Sequence, residues 1–404
     1  MHEESSIGDR IARLRVRRGL TQEQLADRAR LSVDVVRKLE QGRRQTARLA
    51  TLNALAHALD VETSVLVGQL NTFEAKESED PPSVLALRQA ISPVNDLLGE
   101  AHDPDPEDPP TLERLRQSLR STERIRREGR LADIGAMLPS LIRDAQATVQ
   151  VTEGVNRAAA WAVLAEAYQV GATTLAALGK EDAAFTALER SMHAAGQSDD
   201  SHLETVGFST LSWILTKQGR LADAEHIALA HATKIEPGFR SRPIDLSLWG
   251  ILLLRAATAA VRQEKEAEVN ELLSLAGAAA TRVGQDQIVY ATPFGITNFG
   301  VAQVNFLVEM EKSREALRAA NEVRAVGTLP PTWAARFHVD RAIAHTDLKE
   351  DGHAVQALLN AEQTAPEWLR YHATARRVAA ELRNRERRRS SPISALADRL
   401  GLDA

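Results

Sequence analysis

LRVRRGLTQEQLADRARLSVDVVRKLEQGRR, residues 14–44, decides how the N-terminal part of this chain folds. Arg18-Gly19-Leu20-Thr21 is a glycine stop followed by a threonine N-cap, so one helix ends there and a second begins. Ile7, Ile11, Leu14 and then Leu25 recur at helical spacing around that break. Thr21-Gln22-Glu23-Gln24 has the form of a capping box, and Leu25-Ala26 puts an apolar and a small residue where another helix must approach closely. Leu31-Ser32 supplies a second staple and cap, launching a third helix from Val33 to Gln41 that Gly42 terminates. Two further helices, over roughly 49–59 and 63–67, bring Leu49, Leu52, Leu55, Ala56, Leu59 and Leu66 to close a core.

With LATLNALAHALDV at 49–61, this stretch resembles the xenobiotic-response-element (XRE) class of helix-turn-helix domains, the phage-repressor type, over about residues 7–68. It departs from that class at Arg30, where glycine is usual in the turn, and at Val33 and Val35, where polar residues are commoner. Those departures bear on base preference rather than on fold. The resemblance implies double-stranded DNA as partner. Gln22 is then expected on the backbone at the start of the second helix, Ser32 among the DNA-contacting residues at the start of the third, and Val33, Asp34, Arg37 and Lys38 on the major groove. Asp34 suits a cytosine N4, Arg37 or Lys38 a guanine edge, and Val33 a thymine methyl, while Arg43 and Arg44 suit phosphates, which position without specifying. A small helical bundle with a solvated basic face is the alternative.

Composition agrees with a helical, DNA-facing N-terminus. The chain has 404 residues, 44% hydrophobic and 26% charged, with 22 Gly and 15 Pro, too little turn chemistry for an all-β protein of this length. Residues 1–68 hold 12 Lys+Arg against 9 Asp+Glu, leaving 38 against 46 for the remainder, so the small N-terminal part is the basic one. Cysteine is absent, which excludes disulfides, thiolate metal sites and cysteine nucleophiles. An acidic N-terminus without an apolar run behind it is unlike a secretory signal, and Trp249 to Val261 is short for a span and carries Arg255. The expectation is a cytoplasmic protein with no membrane segment.

KESEDPPS after residue 74 and GEAHDPDPEDPPT after residue 98 read as acidic linkers flanking a short helix over 84–98. The division expected is therefore a DNA-binding domain over 1–72, a linker over 73–110, a repeat domain over 111–390 and a tail helix over 391–404. Gly129-Arg130-Leu131-Ala132-Asp133 returns verbatim at Gly219-Arg220-Leu221-Ala222-Asp223, and Leu178-Gly179-Lys180-Glu181-Asp182 has the same form between them. Aligning the residue that opens each second helix gives Ile134, Ala183, Ala224, Ala267, Ala316 and Ala354, one helical hairpin per unit. The hairpins resemble degenerate tetratricopeptide (TPR) repeats, and stacking them gives an α-solenoid. The fold expected is all-α: a five-helix phage-repressor-type domain followed by a TPR-like solenoid. WAVLAEAYQVGATTLAALGKEDAAFTALERSM, LWGILLLRAATAAV, FGITN and ISALADRLGL further resemble a large actinobacterial group of regulators built in that order.

QDQIVYATPFGITNFG at 285–300 breaks the repeat with Pro293, Gly295 and Gly300 and crowds Tyr290, Phe294 and Phe299 into a chain that is only 4% aromatic. Insertions in solenoids often lie at the binding face. Asn298 and Asn305 share a helix face, as do Trp161 and Tyr168, and similar carboxamides in peptide-sensing repeat regulators grip a peptide backbone. Trp161, Tyr168, Tyr290, Phe294, Asn298 and Asn305 are the ligand-binding candidates; core packing and helix bridging are the alternative roles.

Glycine-rich phosphate loop, HExxH and nucleophile-elbow motifs are all missing, so neither enzyme activity nor a cofactor is expected. His226 and His231 are wrongly spaced for one helix face, and His338 with His345 has no evident carboxylate, so no metal site is expected. The arginine run from Arg383 to Arg389 reads as a solvated helix end. The leading functional expectation is a dimeric, sequence-specific transcriptional regulator whose repeats sense a peptide, a small molecule or a protein partner. The rival is a TPR-type interaction scaffold carrying a non-regulatory DNA-binding module.

Overall fold

The computed structural model describes residues 7–41, 49–59, 66, 82–94, 110–290, 292–386 and 391–402. The chain divides into two compact units, Met1–Ser78 with Arg262–Glu264, and Glu79–Val261 with Lys265–Ala404.

In the first unit the helices are α1 (Ile7–Arg17), α2 (Gln22–Ala29), α3 (Val33–Glu40) and α4 (Leu49–Ala58). The capping box forms: Thr21 Oγ1 accepts from the Gln24 amide at 3.1 Å and Gln24 Oε1 accepts from the Thr21 amide at 2.8 Å. Ser32 Oγ accepts from the Val35 amide and opens α3. Arg30, where the helix-turn-helix class favours glycine, sits in the left-handed region at φ 54°, and Leu31 N–H donates to Ala26 C=O at 2.9 Å to close the turn. Ile11, Leu25, Ala26, Val36, Leu39, Leu55, Leu59 and Leu66 form the buried core. The body of the fifth helix, apart from Leu66, and Gly42 lie outside the described residues.

The second unit is a stack of hairpins. Their helix pairs are α6 (Leu112–Glu128) with α7 (Leu131–Val151), α8 (Gly154–Ala177) with α9 (Glu181–Gly196), and α10 (His202–Lys217) with α11 (Leu221–Lys234). Next come α12 (Pro243–Arg262) with α13 (Glu266–Val283), α14 (Ile296–Glu309) with α15 (Ser313–Glu322), and α16 (Pro331–Asp347) with α17 (Asp351–Thr364). Every hairpin turns through one left-handed residue: Gly129, Gly179, Gly219, Glu264, Glu311 and Lys349. Each turn closes with the same long backbone bond, from Arg130, Lys180, Arg220, Lys265, Lys312 and Glu350 N–H to Ile125, Leu175, Leu215, Ala260, Leu307 and His345 C=O. The repeated GRLAD pentapeptide makes the same ion pair twice, Arg130 to Asp133 and Arg220 to Asp223.

These turns correct the sequence alignment of the repeats at two positions. Counting from the left-handed residue, Ala184 and Val269 are equivalent to Ile134, Ala224, Ala316 and Ala354, and all six are fully buried. Ala183 precedes the equivalent position, and Ala267 is exposed on the other side of α13. Val269 shows that the site tolerates a branched side chain, so burial rather than small size defines it.

The segment read as a linker helix is part of the solenoid. In α5 (Pro82–Ile91), Val84, Leu87, Ala90 and Ile91 are buried in the core shared by α7 and α8. The rest of 73–110 lies almost wholly outside the described residues. At the other end, α18 (Pro366–Tyr371), α19 (Ala373–Arg385) and α20 (Pro392–Arg399) close the stack, with Ile393, Leu396, Leu400 and Leu402 buried against α17 and α19. The tail is thus a packed cap: Arg399 grips Glu362 through two bonds of 2.7 Å. In the arginine run, Arg385 bonds Asp351 and Glu381, while residues 387–390 lie outside the described residues.

The apolar run at 249–261 extends into α12, a 20-residue helix long and apolar enough to cross a membrane. However, 67% of its most apolar stretch is buried within the protein, as in a core helix. The solenoid also meets itself, since α6 packs on α16: Thr332 Oγ1 donates to Arg127 C=O at 3.1 Å and the Arg126 guanidinium lies over the Trp333 ring.

Candidate nucleic-acid interface and solenoid cavity

The outer face of α3 is built from two exposed turns. Asp34, Arg37 and Lys38 are exposed beside the exposed cap Ser32, while Val36 and Leu39 are buried on the opposite side. Lys38 Nζ pairs with Asp34 at 2.7 Å, and that hydrogen bond, more than the charge of Arg37, holds the Asp34 carboxyl below its ordinary range. Such an exposed pair contributes little stability, so both groups are free to exchange partners. Val33 is half-buried and packs partly on the domain core, so only part of its surface faces outward. Arg43 and Arg44 lie outside the described residues.

Sequence reasoning missed the network that holds this face in place. Arg15 of α1 donates from Nε to Glu40 Oε1 at 2.7 Å, from Nη2 to Glu40 Oε2 at 2.9 Å and from Nη1 to Leu20 C=O at 2.8 Å. Gln22, at the first position of α2, donates to Glu40 Oε2 at 2.7 Å. One carboxylate therefore ties the start of α2 and the end of α3 to α1. The Gln22 amide is partly committed inside the protein rather than wholly available to a DNA backbone. Arg10 is likewise structural, its Nε donating to Leu66 C=O at 3.1 Å. An acid in an otherwise basic stretch was the available signal for Glu40.

The ligand-binding candidates do not converge. Phe294 is fully buried and Tyr168 is 4% exposed, its hydroxyl bonded by Gln146 of α7 at 2.7 Å, which moves both from ligand contact to core. Trp161 packs edge-on against His193 of α9. Asn298 is buried and its backbone N–H is capped by Asp286 at 2.7 Å. Asn305 donates to the buried Asp340 at 3.1 Å, which also accepts from Arg336, so it bridges α14 and α16.

Tyr290 lines a cavity. The insertion folds as an antiparallel hairpin of β1 (Gln287–Val289) and β2 (Thr292–Phe294), paired Gln287 to Phe294 and Val289 to Thr292. Two glycines fix its seat: a Cβ on Gly250 of α12 would stand 2.0 Å from the Phe294 ring, and one on Gly295 would stand 2.5 Å from the Asp286 backbone. Gln287, Ile288, Val289 and Tyr290 then line a cavity of about 930 Å³ opposite α6. From α6 come Arg116, Arg120, Arg124 and Arg127, one helix face at three- and four-residue spacing, and from α8 comes Glu166. Burial, reinforced by Glu123 and Asp200 and opposed by Arg116, pushes the Glu166 carboxyl up to about 7. Burial and its hydrogen bond to Asp200 push the Tyr290 hydroxyl well above its ordinary range, so it remains a donor. Arg116 also borders a second recess with His202 and Arg242, where Arg242 holds the Asp245 carboxyl down to about 2. The arginine spacing on α6 was visible in LERLRQSLRSTERIRRE, but a solvated face has the same spacing.

The histidines read as structural divide. His231 is buried, 2.9 Å from Thr205 Oγ1 and stacked on Phe208. His345 does have a carboxylate, Glu350, at 2.7 Å, and its neighbouring ring is His353 rather than His338.

Residues 6–67 match the family described as Helix-turn-helix domain. Over 74 residues, 18% of the chain, the sequence is 36% identical to the immunity repressor protein of Bacillus phage phi105, and the match takes in 51% of that repressor. The chain thus spans about half the length of the curated relative it matches. Among solved structures, it is similar to Bacillus thuringiensis PlcR in complex with the peptide PapR7 and DNA, at 14% identity and TM-score 0.38 over 85% of this chain and 98% of that one. S. thermophilus ComR in complex with DNA and its signalling peptide ComS gives 11% identity and TM-score 0.24 over 89% and 99%. Scores this low leave both as remote likenesses. The N-terminal unit of this chain is a helix-turn-helix domain.

Proposed function

We propose that this chain is a sequence-specific DNA-binding transcriptional regulator that acts as a homodimer and is controlled by a ligand of its solenoid. The observation that carries the DNA-binding reading is the helix-turn-helix domain over residues 6–67, with the polar face of α3 turned outward. Asp34, Arg37 and Lys38 supply an acceptor and two donors for base edges, and the start of α2 directs backbone N–H groups at a phosphate. One domain of this size buries too little surface for high specificity, which favours two copies on half-sites about 34 Å apart.

Support for the sensing reading is the cavity faced by Arg116, Arg120, Arg124 and Arg127, with Ile244, Ile288 and Val289 beside them. Arg120 pairs with Glu113 and Arg127 with Glu123, so the charge offered to a ligand comes from Arg116 and Arg124, which suits a ligand with an anionic end and an apolar body. It regulates by binding one arrangement of the solenoid more tightly than another, and its effect is bounded by that difference.

Sequencing the DNA fragments that co-purify with the protein, followed by gel-shift titration on the enriched site and a scrambled one, tests the first reading. Arg37→Ala and Lys38→Ala are expected to relax base preference by about 1 to 3 kcal/mol each. No enrichment, with equal and salt-insensitive binding to both fragments, would support the scaffold instead.

A further inference from the structure

Among the described residues, one group of side chains outside the DNA-binding face and the cavity carries metal-ligand chemistry. His345 stands in the last turn of α16, Glu350 is at the N-cap position of α17 and His353 is in its first turn. The left-handed turn at Lys349 folds these helices back on each other and brings the three side chains together. His345 Nδ1 lies 2.7 Å from Glu350 Oε2, the two imidazole rings are 5.2 Å apart between centroids and inclined at 31°, and a donor atom from each residue lies within 4.8 Å of the other two.

We propose that His345, Glu350 and His353 bind one zinc ion across the α16–α17 turn, independently of the DNA and cavity readings. Two neutral imidazoles and one carboxylate are a zinc donor set, and they disfavour magnesium and calcium, which take oxygen ligands. Tetrahedral bonds of about 2.0 to 2.2 Å bring donors within about 3.4 Å of one another, so the group must contract. Glu350 and His353 are exposed and can rotate to do so, while the half-buried His345 stays as the fixed anchor. Water takes the fourth position. The ion then joins the end of α16 to the start of α17, so it stabilises the hairpin next to the C-terminal cap.

The test uses full-length, untagged protein stripped with EDTA. Zinc is titrated by calorimetry, and cobalt is followed by its visible absorption, which distinguishes tetrahedral from octahedral coordination. Wild type is expected to take one equivalent of zinc, to give the tetrahedral cobalt spectrum and to melt higher with zinc. His353→Ala and Glu350→Gln, both at exposed positions, should weaken zinc binding by about tenfold or more and abolish the melting shift. His226→Ala, at an exposed histidine elsewhere, should change neither. An octahedral cobalt spectrum, or wild-type zinc binding in His353→Ala, would overturn the site. Equal loss in His226→Ala would do the same, by placing the ion elsewhere.

Discussion

Glu40 receives three hydrogen bonds from two other helices, at 2.7, 2.9 and 2.7 Å, and these set the pose of the DNA-facing helix from inside the domain. Glu40→Gln keeps the shape but gives up the ionic character of the bonds to Arg15 and one acceptor. It should destabilise the domain by about 1.5 to 3 kcal/mol, the range for hydrogen bonds to charged groups. Denaturant unfolding alongside gel shifts checks this, and unchanged stability would show that Arg15 and Gln22 find equivalent partners elsewhere. Glu166 makes the opposite case. Its carboxyl is raised from 4.5 to about 7, so between those values the native chain holds a proton that the unfolded chain has released. Stability therefore falls as pH rises through that window, and the penalty is complete above it. Glu166→Gln is expected to melt higher than wild type near about pH 8 and to show no advantage near about pH 4, where both states are protonated. A gain that persists at the acid end would point to packing instead.

At the scale of elements, the β-hairpin is held by an aromatic plug rather than by its own three-residue strands, which are too short to be stable alone. Phe294 occupies the place of a side chain on Gly250 in α12, and Phe299 does the same over Gly277 in α13. Gly250→Ala should lower stability by about 1 to 3 kcal/mol through overpacking, although alanine favours the helix. Combining it with Phe294→Leu should recover part of that loss, since the smaller residue vacates the space. Additive effects in a double-mutant cycle would show that the two sites do not share the space. The six hairpin turns give a second lesson at this scale. Glutamate or lysine serves at Glu264, Glu311 and Lys349 where glycine serves at Gly129, Gly179 and Gly219, because the long backbone bond, rather than glycine itself, defines the turn.

For the whole molecule, the basic N-terminal domain has its own apolar core, whereas the cavity is an open recess lined by residues of the solenoid. A fragment of residues 1–72 should fold alone yet bind DNA more weakly than the full chain. On the proposed homodimer, its salt slope should be about half as steep, because half the phosphate contacts remain. Sedimentation of both proteins with and without operator DNA, beside salt-dependent titrations, is the measurement. A fragment that dimerises and matches the full chain would show that residues 73–404 are not needed to pair the DNA-binding domains.

The sequence by itself determined what depends on neighbours within a turn or two. Thr21 and Ser32 as caps, the apolar spacing of Ile11, Leu25 and Leu55, and the returning GRLAD motif are local, and short-range hydrogen bonds and helical periodicity suffice to read them. Only the tertiary structure decided which arginines of α6 meet a hairpin 170 residues further on, and that Phe294 and Tyr168 turn into the core while Tyr290 stays at a cavity. It also decided that His345 faces His353 rather than His338. The physical reason is common to all of these. A polar or aromatic side chain on a helix has the same spacing whether it is solvated, buried or aimed at a ligand. Its surroundings come from elements distant in the chain, whose packing local sequence does not encode.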